Sequence, residues 1–310
     1  MYVVTGVDGH FGSTVAEIVL AKVPADQLIF TSWDVSRIAH WAERGVQVRQ
    51  ADFDDLAQTT EAFRGGHRLL LISTMLVGPR RRQQHLNAIE AAQAVGVEHV
   101  TYTSYLGSER PDNTALVTVD HHYTEELILG SGLSWNFMRD SQYGEAMAEQ
   151  QAAIAISTGR FYANELDGTV AFVSRDDCAA VAAALLLGAG EPDTAYDVTG
   201  PDLFTYREIC ALVAEVSGAE IEYVEMTDDE MYAMWDALGV PRESTGDFSA
   251  APVPWCSDDM VSFGRAIREG MMAVRTDVVA ELTGTAPKTM RQLMEAAKPG
   301  WPAPAAAPVA

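Results

Sequence analysis

A glycine-rich turn begins five residues into the chain, and it constrains the fold more than any other feature. The run Thr5-Gly6-Val7-Asp8-Gly9-His10-Phe11-Gly12 directly follows the β-prone MYVV and opens a helix-like stretch over Phe11–Ala21. Strand, glycine turn and helix is the order in which such a pattern holds a dinucleotide. Gly6 permits the tight turn, Gly9 lets backbone approach a pyrophosphate, and Gly12 lets the helix lie close on the sheet. The first N–H groups of the helix and the positive end of its dipole then meet the phosphates.

The next 130 residues keep the same alternation. Apolar, β-rich runs occur at Tyr2–Thr5, Gln27–Thr31, Val46–Gln50, Leu69–Ser73, His99–Thr103 and Ser134–Met138. Helix-like stretches separate them at Phe11–Ala21, Ser36–Glu43, Leu56–Phe63, Arg80–Ala94 and Asp120–Leu129. Short buried strands alternating with amphipathic helices predict an α/β, Rossmann-type doubly wound parallel sheet covered on both faces. Past about residue 145, helical segments dominate (145–155, 175–188, 205–217, 228–238, 258–269, 276–297), with strand-like runs at Thr169–Val173, Tyr196–Val198 and Ile221–Val224. The expected organisation is a dinucleotide-binding domain over 1–145. A smaller α+β substrate region follows over 146–298, with some crossover of segments, then a Pro/Ala-rich disordered tail over 299–310. The Pro- and Ser-bearing stretch 241–257 reads as a loop.

Charge removes whole function classes. Lys and Arg number 21 against 44 Asp and Glu, a formal net charge of −23. Nucleic-acid binders set Lys and Arg against phosphates, so neither nucleic acid nor an anionic membrane is an expected partner. The one basic run, Arg80-Arg81-Arg82, reads as a solvated helix start. No apolar run approaches a membrane span, and the opening residues lack the basic start and apolar core of a leader, which predicts a cytoplasmic protein. Cys178, Cys210 and Cys256 lie far apart and predict free thiols. No HExxH, Cys cluster or GxSxG is present, so no metal site is expected and hydrolase chemistry is disfavoured.

Other positions suit a dinucleotide. The second strand ends in Thr31-Ser32-Trp33-Asp34, where an adenosine ribose would lie. An acid there favours NAD, and an arginine favours the 2′-phosphate of NADP. Asp34 argues for the first; Ser32 and Arg37 suit a phosphate; Trp33 suits stacking on adenine. Asp52, ahead of Phe53, either reaches the adenine amino group or caps the helix at Leu56. Ser73-Thr74 and Tyr102-Thr103-Ser104 end the fourth and fifth strands, where open α/β sheets bind ligands.

Seven stretches carry a family resemblance: TGVDGHFGSTV, GVQVRQADFDD, RLLLIST, QQHLNAIEAAQAVGVEHVTYTS, HHYTEELILGSGLSWNFMRDSQY, AFVSRDDCAAVAAALL and YDVTGPDLFTYREI. Together they resemble the NmrA-like branch of the atypical short-chain dehydrogenases, and within it the bacterial NAD(P)H:quinone oxidoreductases. The resemblance spans about residues 1–230. It implies NADP(H), with NAD(H) as the alternative, no flavin, and hydride transfer to a small aromatic or quinone-like acceptor. Some relatives of this kind are non-catalytic redox sensors, and others cleave benzylic ethers. A monomer or homodimer is expected.

Three departures stand out. Trp33 occupies the place of a common arginine. Arg139-Asp140-Ser141-Gln142-Tyr143 replaces a pattern nearer Arg-Asn-Gly-Trp-Tyr, so Asp140 stands for an amide and Gln142 for an aromatic wall. The YxxxK of ordinary short-chain dehydrogenases is absent, and His121 falls where related quinone reductases carry histidine. His121 is therefore the first candidate for proton donation to the developing oxyanion, with nicotinamide-ribose contact or helix capping as the other readings. Tyr105 and Tyr143 are candidates to line the acceptor site. His85 reads as a packing or loop-anchoring residue. Trp235, Trp255, Met260, Met271 and Met272 either roof an apolar cleft or, the favoured reading, belong to the core.

Overall fold

Seven parallel strands form one sheet in the order β3-β2-β1-β4-β5-β6-β9. The computed structural model describes residues 1–244 and 248–303. The first six strands are β1 (Tyr2–Val4), β2 (Leu28–Ser32), β3 (Gln47–Gln50), β4 (Arg68–Leu71), β5 (His99–Tyr105) and β6 (Ser134–Asp140). Between them run α1 (His10–Leu20), the short α2 (His40–Glu43), α3 (Leu56–Phe63), α4 (Pro79–Ala94) and α5 (Leu116–Ser131). Side chains alternate across the sheet. Val4, Phe30, Leu70 and Met138 pack on one face with Val15 and Val19 of α1. Val3, Ile29, Leu69, Leu71 and Phe137 pack on the other with Phe63, Ile89 and Ile128 from α3, α4 and α5. Each large side chain buried this way contributes about 1.5–3 kcal/mol.

The second half is less separate than its composition suggests. After a π-helical turn over Ala146–Gln151, α6 (Ala152–Thr158), β7 (Arg160–Ala163) and β8 (Thr169–Val170) begin the smaller region. The chain then returns to the main sheet: α7 (Arg175–Leu186) packs on α1, and β9 (Thr194–Val198) pairs with β6. Its Ala-rich sequence lets α7 lie close. β10 (Phe204–Thr205), α8 (Tyr206–Ser217), β11 (Glu222–Glu225), α9 (Asp228–Ala237) and α10 (Ser257–Arg268) follow. The helix expected over 276–297 is two helices, α11 (Val278–Thr283) and α12 (Met290–Ala297), because Gly284 caps the first and Pro287 falls between them. A second core of Ile156, Phe161, Phe172, Ile209, Val213, Leu293 and Met294 holds the smaller region together.

Two further expectations change. α5 starts at Leu116 rather than Asp120, so His121 stands inside a helix and caps nothing. The tail expected to be disordered from 299 is ordered at its start: Lys298–Gly300 form a 3-10 turn, and Trp301 Nε1 donates to the Ala148 carbonyl at 2.7 Å. Residues 304–310 lie outside those described.

The glycine turn fixes how α1 meets β1. Gly6 takes φ +60°, a left-handed conformation that favours glycine. A Cβ on Gly12 would sit 2.2 Å from the Gly6 carbonyl oxygen, whereas one on Gly9 would sit at an ordinary 3.5 Å. Gly12→Ala is therefore expected to lower stability by about 1–3 kcal/mol, as overpacked sites do. Gly9→Ala should leave the urea midpoint within experimental error, and parallel denaturation curves of both variants check the contrast.

Candidate active site

The site lies where the sheet changes direction. β1 has β2 on one side and β4 on the other, so the loops after β1 and β4 part and leave a crevice at the strand carboxyl ends. Thr5 stitches this point together: its Oγ1 donates to the Leu70 carbonyl at 3.0 Å and accepts from Ile72 N–H at 2.9 Å.

One half of the crevice is a groove of about 580 Å³ lined by Gly6, Asp8, Gly9, Trp33, Arg37, Asp52, Phe53, Ser73 and Thr74, among others. Arg37 pairs with Asp8 at 2.8 Å and lies near the half-exposed Trp33 ring, 6.0 Å from its centre. Asp34 does not line the groove. Its Oδ1 accepts from Ser36 N–H at 3.0 Å and Ser36 O–H at 2.7 Å, capping a 3-10 turn over Val35–Ile38. Asp52 does line it, and the cap of α3 is Asp55 instead. The loop after β4 is anchored from behind. Ser73 N–H donates to Thr103 Oγ1 at 2.8 Å, and Thr74 N–H donates to His85 Nε2 at 3.1 Å. Since His85 Nε2 accepts, its Nδ1 carries the hydrogen and donates to Thr124 Oγ1 at 2.8 Å.

The residues fit a dinucleotide on three counts. The start of α1, whose N-cap Gly9 carries no side chain, opens on the groove. An arginine and an indole stand at the distal end. The buried hydroxyls of Thr31, Ser73 and Thr74 make no hydrogen bond in ordinary geometry among the described residues, although all three line the groove. Orphaned polar groups of this kind are costly unless a ligand or water completes them.

The other half is a cavity of about 550 Å³ that shares Ile72, Ser73, Thr74 and Met75 with the groove. Phe11, Tyr105, His121, Tyr143 and Phe263 give it aromatic walls. His121 and Phe263 flank the Tyr105 ring at 6.1 and 5.7 Å. The Tyr105 hydroxyl is buried, near the Gln142 amide, and makes no hydrogen bond in ordinary geometry among the described residues. Tyr143 Oη donates to Asp140 Oδ2 at 3.1 Å, and Tyr206 Oη donates to Gln142 Oε1 at 2.9 Å. His121 Nδ1 is 2.8 Å from Tyr102 Oη, so Tyr102 stands behind the cavity wall rather than on it. Ser104 lines the cavity, but its hydroxyl is spent on Glu125 at 2.5 Å.

Burial dominates the electrostatics. It pulls His121 well below the usual histidine range, and the nearby Arg81 charge pulls in the same direction. His85 falls to about 3 for the same two reasons. Burial pushes Asp140 up to about 8 and Glu165 up to about 7. It also holds the Tyr105 and Tyr143 phenols above their ordinary value. Tyr105, Tyr143 and His121 thus stand as neutral groups on a wall that also carries the Arg81 and Arg175 guanidiniums.

Several residues escaped the sequence reading. Arg81 is not a solvated helix start: it is 6 % exposed, lines the cavity, and donates to the Met75 carbonyl at 3.0 Å. Trp235 and Met260 line the cavity rather than the core, while Trp255 backs Trp235 edge-on at 5.0 Å and Met271 and Met272 are buried. Glu165 and Asn164 enter from the loop after β7 with no local motif. Of the glycine-turn candidates, His10 and Gly12 line neither half; His10 lies 3.6 Å from Asp176 on α7.

Comparison with known proteins adds an independent result. A family described as NAD(P)H-binding matches residues 6–188. Quinone oxidoreductase 2 of Escherichia coli K12 is 33% identical over 242 residues, covering 78% of this chain and 83% of that one. The NAD(P)H azoreductase of Xenophilus azovorans is 28% identical over 248 residues, covering 80% and 84%. The crystal structure of the E. coli NADPH-dependent quinone oxidoreductase complexed with NADPH superposes with a TM-score of 0.84 at 28% identity, covering 94% of this chain and 97% of that one.

The depressed histidines have a measurable consequence. His85 and His121 are expected to remain neutral from pH 8 down to pH 5, read as unshifted imidazole resonances by NMR. Each binds its proton only on unfolding, so below about pH 6.5 each lowers stability by up to about 1.4 kcal/mol per pH unit. Titration of either ring near pH 6.5 in the folded protein would contradict the burial assigned to it.

Proposed function

The chain belongs to the NAD(P)H-binding, NmrA-like family, and on that premise we propose that it reduces a small quinone or related conjugated aromatic acceptor with NADPH and without a flavin. The observation that carries this reading is the sharing of Ile72, Ser73, Thr74 and Met75 by the two halves of the crevice. A dinucleotide laid from Trp33 past the glycine turn ends at this shared wall, and the cavity begins there. When bound, the nicotinamide supplies the hydride.

In this reading the chain's own residues bind, orient and donate. The N–H groups of the first turn of α1, beyond Gly9, hold the pyrophosphate, while the Gly9 N–H closes the turn on the Gly6 carbonyl at 3.0 Å. Arg37 meets a 2′-phosphate beside Trp33, and with Asp34 committed to Ser36 the balance favours NADP(H) over NAD(H). Asp52 and Phe53 border the adenine, and the hydroxyls of Ser73 and Thr74 gain partners along the cofactor. The hydroxyl of Thr103 is already engaged by the loop after β4, so it shapes the site rather than binding directly. Phe11 and Phe263 help exclude water from the acceptor.

A carbonyl that gains a hydride develops negative charge on oxygen, and donors placed there in advance lower the barrier. Tyr105, Tyr143 and His121 are the three donors assigned to it. Because His121 is neutral, it acts as a hydrogen-bond donor rather than as an imidazolium acid. In the tautomer where the Tyr102 phenol donates to Nδ1, 2.8 Å away, the ring hydrogen sits on Nε2 and is available to the acceptor.

The test follows nicotinamide fluorescence as purified protein is titrated with NADPH and NADH, then NADPH oxidation on addition of tetramethyl-1,4-benzoquinone, which has no free ring position for thiol addition. Saturable NADPH binding and turnover are expected. Binding without oxidation of this quinone, other quinones or aromatic carbonyls would overturn the reductase reading. Tyr105→Phe should lower kcat about a hundredfold, the scale of losing one oxyanion donor, with little change in NADPH affinity. Arg37→Ala should raise the Kd for NADPH by about tenfold or more while changing that for NADH far less, as loss of a charged hydrogen bond requires.

A further inference from the structure

Asp140 is a carboxyl inside an oxidoreductase cavity, and neither the glycine turn nor the donor set explains it. It is 3 % exposed, lines the cavity and ends β6. Its Oδ2 accepts from the Tyr143 hydroxyl at 3.1 Å. Its Oδ1 is buried with no hydrogen bond in ordinary geometry among the described residues. Among the described residues, no basic side chain bonds to it. The groups that face it, or stand beside the two that do (Tyr143 and Cys178), come from its own loop and from β5, α7 and β9. Tyr105 is its partner across β5, while Tyr143 and Glu145 stand on its own loop. Cys178, Asp177 and Arg175 belong to α7, with the Cys178 thiol beside the carboxyl and Arg175 over the Tyr143 ring at 5.9 Å. On the other side β9 presents Val198.

Resting on the reductase reading, we propose that Asp140 is a positioning residue that decides which way the Tyr143 hydroxyl points. An ionised carboxylate can only accept, so it takes the Tyr143 hydrogen and turns it away from the acceptor. A protonated carboxyl can donate to Tyr143 Oη instead. The phenolic hydrogen is then free to point into the cavity, and a hydroxyl that accepts a hydrogen bond donates the more strongly. The low-dielectric setting, with no cation bonded to the carboxyl, favours the protonated form. Tyr143 touches the acceptor; Asp140 acts through it.

The consequence is an alkaline limit on turnover that belongs to one side chain. Burial places the Asp140 titration at about 8. As pH rises through that value the carboxyl ionises and the donor is withdrawn, so kcat falls by about tenfold at pH 9. An asparagine carries an N–H donor at every pH. Asp140→Asn is therefore expected to lack the alkaline limb, and at pH 9 its kcat should exceed that of the unaltered protein at least fivefold. Tyr143→Phe should lose the same limb but at a low kcat throughout, with KM changed much less than kcat.

The experiment records kcat and KM from pH 6 to 10 with saturating NADPH and tetramethyl-1,4-benzoquinone for the three proteins. In parallel, carbon-13 NMR follows the carboxyl of Asp140, assigned by its loss in Asp140→Asn, in protein without nucleotide. A limb that persists in Asp140→Asn, or an Asp140 resonance already ionised below pH 6, overturns the inference while leaving the reductase reading intact. Absence of turnover in all three proteins despite NADPH binding overturns the reductase reading, and the role assigned to Asp140 falls with it. A carboxyl that titrates near 8, together with the vanished limb, supports the proposal.

Discussion

The approach of α1 to the turn after β1 is the contact on which the rest depends. A helix start can face phosphates only if the helix sits low on the sheet, and the space between Gly12 and the Gly6 carbonyl leaves no room for a Cβ. That contact sets the height of α1, and α7 packs on α1 in turn. From α7 come Cys178, which lies under Asp140, and Arg175, which reaches Tyr143. A steric constraint at residue 12 is thereby transmitted to the far side of the cavity through two packed helices. Folded interiors are close-packed and pass on such constraints.

The two halves of the crevice are specified differently. The groove is defined mostly by backbone: a left-handed glycine, free N–H groups and a loop pinned by Thr103 and His85. The cavity is defined by side chains from β5, β6, α5, α9, α10 and the loop after β7. Backbone-defined sites depend on a few glycines and tolerate change elsewhere, whereas side-chain-defined sites change character with single substitutions. This division suits a fold that keeps one cofactor and varies its acceptor, since one fold hosts many functions.

It also explains what was legible in the sequence. The glycine turn, the six alternating strands and the helices between them were readable because each is encoded locally, by spacing or by periodicity. The seventh strand, Thr194–Val198, is readable as a strand over Tyr196–Val198, but its place beside β6 is not, because pairing across 58 residues leaves no local mark. Asp34 and Arg37 could not be separated by sequence: both stand at the right distance from β2, and only the turn over Val35–Ile38 commits the carboxylate to Ser36. Arg81 was misread because a run of three arginines looks solvated, yet α4 turns about 100° per residue and directs the middle one inward. Trp235 and Met260 carried only the weak signal of large apolar residues that suit a cleft roof as well as a core, and Glu165 had no signal to find, since their meeting is a product of tertiary convergence.

Burial does for this cavity what charge does for many sites. The protein carries a net charge of −23, and a field of that sign opposes negative charge developing on a reduced acceptor. Neutralising the local groups removes much of the conflict. A protonated Asp140, neutral His121 and intact phenols at Tyr105 and Tyr143 leave the cavity with donors and little fixed negative charge of its own. Desolvation adds to what the Arg81 and Arg175 guanidiniums on the same wall supply, and the low dielectric strengthens each hydrogen bond offered to the oxyanion. The cost is sensitivity: a site whose donors depend on carboxyls held neutral by burial loses them when water or alkali reaches those groups. The packing of α7 under Asp140 is for that reason part of the chemistry as well as part of the fold.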